Sequence, residues 1–211
     1  MKFKLYSVNG ASTPAILLLK NTISSSILSN QDENVELFHS NEMDSNIIHF
    51  VFHIKDEYQV GTKIGGSYFK LPISQYVNAF FHTKMGYFFA EMQNDSYLDN
   101  IGSYLETKGV FLNNCTFSNS ILLSLVRRLK GSIKSAEIRN SEGEEFYGPM
   151  KMFEVEEKVN QNFEIDYLSI IADQNFISIY KTGTVSVDNS SKDYLKRFIE
   201  EVSDVLENNC S

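Results

Sequence analysis

The sequence holds two cysteines, four histidines and no tryptophan, and it has no long apolar run. Cys115 and Cys210 stand far apart and form no spacing pattern, which excludes a disulfide framework and fits a reducing compartment. The longest aliphatic stretch, Ala15 to Leu19, is far too short to span a bilayer. The opening Met-Lys-Phe-Lys-Leu-Tyr reads as a strand and lacks the apolar stretch of a secretion signal. A cytoplasmic protein with no membrane partner is therefore expected. Basic charge is also scarce. The net charge is -8, which disfavours nucleic acid as a partner, because phosphate contacts need clustered Lys and Arg. Residues 1–108 hold 8 basic and 11 acidic side chains, a net of -3, and the rest carries the remaining -5, so neither half is a basic module.

Motifs of catalysis are missing as well. No Gly-x-Ser-x-Gly nucleophile turn is present. The glycines at 61, 65 and 66 lack the Gly-Lys-Ser/Thr ending of a phosphate loop and the spacing of a dinucleotide turn, so the segment reads as a plain loop. No cofactor is implied.

What is present suits a packed core. The chain is 42% hydrophobic and 22% charged, close to the globular average, with 16 Phe and 11 Tyr that favour strands. Alternation predicts strands at 2–8 and 47–54, where Ile48, Phe50, Phe52 and Ile54 share one face and His49, Val51 and His53 the other. A short strand is expected at 35–38, after an apolar run at 15–19 and a loop or weak helix at 22–34. Residues 75–82 and 87–93 form a predicted hairpin around 83–86. Asp95 or Ser96 can cap a helix bearing Leu98, Ile101 and Leu105, which Gly109 ends.

Ser118 can cap a second helix, with Ile121, Leu122, Leu125, Val126 and Leu129 on one face. Strands follow at 133–139, 150–159, 165–172, 176–181 and 184–188. The chain closes on a long helix from Ser191. Tyr194, Leu195, Phe198, Ile199, Val202, Val205 and Leu206 make its apolar stripe, and Glu200, Glu201 and Asp204 face water. The fold class is α+β, with antiparallel sheets, helices packed on one face and a long C-terminal helix. The change of pattern at Gly109 divides a mostly-β unit, 1–108, from an α+β unit, 109–211.

Candidate chemistry is sparse. His49 and His53 would share a face on a helix, but on a strand they stand roughly 13–14 Å apart, too far for one zinc. They read as solvent-facing strand histidines, and His39 and His82 are isolated. Glu156 and Lys158 end the expected 150–159 strand. Glu-x-Lys on a strand, with an acid such as Glu137 or Glu145 nearby, is the arrangement of divalent-metal nucleases, where carboxylates hold the cation and lysine orients water. The one dense basic cluster is Arg127, Arg128, Lys130, Lys134 and Arg139. It reads either as a binding patch for a phosphate or acidic partner or as helix-end electrostatics.

The segment Phe176-Ile-Ser-Ile-Tyr-Lys-Thr-Gly183-Thr-Val-Ser-Val-Asp188, with Ser190-Ser-Lys-Asp-Tyr-Leu195 after it, resembles the strand, tight turn, strand and final helix of the TATA-binding-protein fold. The resemblance covers 176–206 and, in outline, 110–206. The intercalating phenylalanines and basic flanks of that family have no counterpart here. It implies architecture alone, not DNA binding.

The expected function is a non-catalytic binding or accessory subunit of an intracellular assembly, with another protein as partner. The abundance of Asn, Lys, Ile and Ser suggests AT-rich coding and a bacterial setting such as anti-phage defence or a toxin–antitoxin system. The alternative is the metal-dependent nuclease.

Overall fold

A computed structural model describes residues 1–22, 34–61 and 68–209 of the chain. In chain order the elements are β1 (Lys2–Val8), a 3-10 turn (Gly10–Ser12), α1 (Thr13–Thr22), β2 (Val35–Asp44), β3 (Ile47–Gly61), β4 (Tyr68–His82), β5 (Tyr87–Glu91) and α2 (Asp95–Thr107). They continue with β6 (Leu112–Asn114), α3 (Asn119–Arg128), β7 (Ser132–Arg139), β8 (Glu145–Gly148) and α4 (Met152–Asn160). β9 (Glu164–Ala172), β10 (Asn175–Tyr180), β11 (Thr184–Val187) and α5 (Lys192–Asn209) complete the fold. The expected loop at 22–34 and the glycine-rich segment at 61–66 lie largely outside the described residues, as does Cys210.

The strands form one antiparallel sheet in the order β2-β3-β4-β5-β1-β11-β10-β9-β7-β8, with β6 beside the end of β1. The α+β architecture, the antiparallel sheet and the long final helix are therefore as the patterning implies. Pairing runs from one half of the chain into the other through β1 and β11, at Phe3 opposite Val185.

Each half carries its helices on one face, and the two halves use opposite faces. α1 and α2 cover β2 to β5 and build a core of Phe50, Phe52, Phe81, Phe88, Ile101 and Leu105. α3 and α5 cover β7 and β9 to β11 from the other side, around Leu125, Ile170, Ile179, Phe198 and Val202. β1 and β5 lie at the crossover, and β5 is buried on both faces. That is why Tyr87-Phe88-Phe89-Ala90 is a continuous apolar run instead of an alternating one.

Helix ends follow local chemistry. α3 is capped by Ser118, whose hydroxyl accepts from the Ile121 N–H at 3.3 Å. α2 is capped one residue earlier than expected, by Asn94, whose side chain accepts from Ser96 N–H at 3.1 Å. The expected strand at 150–159 is a correction: this segment is α4. Met152, Val155 and Val159 recur at helical spacing against the core, and the Glu154 carboxylate accepts the Lys151 N–H at 2.6 Å. Its Phe and Val residues suggest a strand, but burial of one stripe and this cap decide for helix. Among the described residues no helix is long and apolar enough to cross a membrane.

Candidate functional site

Because the helices of the two halves sit on opposite faces, the β2–β4 face that α1 and α2 leave uncovered is reached only in part by α5, over Ile47 and Phe80. On β2 to β4 the register aligns Asn41 with His49 and His49 with Phe80, and aligns Val51 with Asn78 and His53 with Tyr76. These residues share the face that α1 and α2 do not cover.

The two histidines here are not solvent-facing, which corrects the expectation. His49 is half-buried and lies against Phe80, with ring centroids 4.8 Å apart and planes at 15°. Its Nε2 is 2.9 Å from the Asn78 Oδ1 and its Nδ1 3.1 Å from the Asn41 Oδ1. Asn78 donates in turn to the Glu91 carboxylate at 2.6 Å. Burial lowers the His49 pKa below its ordinary 6.5. His53 stacks on Tyr76, pairs with Glu36 at 2.6 Å and keeps only 13% of its side chain exposed. Strand neighbours wider than imidazole close over both rings.

These groups open onto a cleft of about 380 Å³ between the sheet and the start of α5, bordered by Met43, Phe80, Lys192 and Leu195. An ion pair between Lys196 and Asp44 holds α5 to β2 at its edge.

A second feature is an arm. β2 pairs with β3 only as far as Ile54, and β5 pairs with β4 only from Ala79 onward. Residues 56–61 and 68–74 therefore pair with each other and leave two free edges among the described residues. Tyr58 and Leu71 are cross-strand partners on one face, and Phe69 follows on that face. They are 62%, 51% and 59% exposed. Tyr97 of α2 donates to Asp56 at 2.6 Å and braces the arm at its base.

The residues singled out in the sequence are dispersed. Arg127 pairs with Glu156 at 2.6 Å, Arg128 with Glu201 and Asp204, and Arg139 with Asp166 at 2.7 Å. Lys130 and Lys134 are exposed. Glu201 and Asp204 thus do not simply face water: Arg128 reaches across from α3 to both. Glu156 and Lys158 sit on α4 instead of a strand, two residues apart and so on different sides of the helix. The Lys158 ammonium lies over the Phe146 ring at 3.9 Å from its centroid and over Phe163 at 4.8 Å. Glu137 and Glu145 are exposed on β7 and β8. Among the described residues no group of three His, Cys, Asp or Glu side chains could hold a metal ion. The strand geometry behind the nuclease arrangement is absent.

Comparison with known proteins finds no family model and no curated protein that matches this chain.

Proposed function

We propose that the chain is a non-catalytic binding subunit of a protein assembly in the cytoplasm, and that the β3–β4 arm is its docking element. The observation that carries this reading is the arm's exposed face of Tyr58, Phe69 and Leu71 beside two strand edges that have no partner among the described residues. Contiguous exposed aromatic and aliphatic side chains favour a protein contact, and a free edge can take an added strand from a partner. The partner is a different protein, because copies carrying -8 each repel one another and the same charge disfavours nucleic acid.

The test is affinity purification from the native cell, reconstitution with the purified partner, and hydrogen exchange of the complex. Amides in 56–61 and 68–74 are expected to gain protection. Protection confined to other elements, self-association through the arm, or turnover of nucleic acid with Mg²⁺ would contradict the proposal.

A further inference from the structure

We propose that the cleft between the β2–β4 face and the start of α5 binds a small planar heterocycle carrying an anionic group, of the size of a mononucleotide. This site is separate from the arm and does not depend on partner docking.

The hydrogen-bond chain fixes what the cleft presents. Asn78 gives one amide hydrogen to Glu91, so its carbonyl oxygen faces His49 and accepts from Nε2–H. His49 is half-buried and neutral, with one ring hydrogen, so Nδ1 is an acceptor. Asn41 is placed with its Oδ1 3.1 Å from Nδ1, but a neutral ring whose one hydrogen goes to Asn78 offers only a lone pair there, so the Asn41 amide is assigned the turned-over orientation, with its nitrogen on Nδ1 and its carbonyl oxygen at the cleft as an acceptor. The order runs without a gap from the Glu91 carboxylate to that carbonyl, which sets a defined acceptor where a free asparagine would turn either way.

The remaining walls are mostly apolar, with Ser190 and Lys192 the polar side chains. Met43, Phe80 and Leu195 are apolar, and methionine adapts to flat ring surfaces. Lys192 is exposed at the rim and has no carboxylate partner among the described residues, whereas Lys196, one turn further on, is paired with Asp44. An apolar slot, one oriented acceptor and one free cation suit a ring with an N–H donor and a negative group at a distance from it. The volume of about 380 Å³ lies at the small end of ligand cavities, which run from about 300 to 1,000 Å³.

The probes are AMP, GMP, CMP and UMP, their nucleosides and inorganic phosphate, titrated calorimetrically into the full chain. At least one mononucleotide is expected to saturate one site with Kd below about 1 mM, and its nucleoside to bind about tenfold more weakly. Lys192→Met should erase the difference between nucleotide and nucleoside. Asn41→Leu should weaken both by about tenfold while the chain stays folded at the assay temperature, checked by circular dichroism. Tyr58→Ser in the arm should leave all of these values as they are, so failure here and failure of the docking proposal are distinguishable. No saturable binding by any mononucleotide would overturn the proposal. So would phosphate binding as tightly as the nucleotide, or binding unaltered in Lys192→Met and Asn41→Leu.

Discussion

His49 of β3 lies flat on Phe80 of β4 while both of its ring nitrogens meet asparagine amides from neighbouring strands. A polar ring is thereby held against an aromatic one, half out of water, and its protonated form is disfavoured.

The first expectation concerns pH. Burial lowers the folded-state pKa of His49, and the same cause lowers that of the buried His82. Each unfolded imidazole titrates near 6.5, so below that value the unfolded chain binds more protons and gains stability relative to the folded one. Stability present above 6.5 is lost as pH falls toward the folded values. Melting temperature should drop as pH falls below 6.5. The slope should be shallower in His49→Gln and in His82→Gln.

Phe198 of α5 is 2% exposed at the centre of the core shared with α3 and the C-terminal strands. Phe198→Ala should cost about 3–5 kcal/mol. Arg197→Ala, which removes an exposed ion pair to Asp173, should cost about 1 kcal/mol or less. Urea unfolding of the two variants gives both values, and near-equal losses would contradict the placement of α5.

Gly183 joins β10 to β11 with φ of 75°, and a Cβ at this position would lie 2.0 Å from the Cys115 carbonyl oxygen. That carbonyl belongs to the backbone beside β1, where the Leu5 carbonyl accepts from Cys115 N–H at 3.1 Å, so it cannot yield alone. Gly183→Ala should destabilise by at least about 2 kcal/mol, from left-handed strain together with the clash. A variant that melts like the parent would show that the segment at 115 is not fixed there.

These cases show where sequence pattern carries far and where it stops. α2, α3 and α5 are legible because caps such as Ser118 and stripes such as Leu195, Phe198 and Val202 are local signals. α4 is not, because Phe153, Val155 and Val159 carry strand propensity while the deciding contact, Val155 in the core, is tertiary. The His49 cleft is hidden for a similar reason. Asn41 and Asn78 lie 8 and 29 positions from His49, and only the pairing of three strands puts them on one face. The alternation at 47–54 does place His49 and His53 opposite the Phe50 and Phe52 face. It says nothing of the aromatic rings on β4 that close over them. The arm is likewise a matter of where β2 and β5 stop, which depends on their partners.

The arm is tested most directly by the affinity of the reconstituted partner for the parent protein and for the double variant Tyr58→Ser, Leu71→Ser. Both side chains are more than half exposed, so the double variant should melt like the parent, within about 0.5 kcal/mol per site. Its affinity for the partner should fall at least about tenfold, mostly through faster dissociation. Equal affinity for the two proteins, with folding intact, would contradict the account.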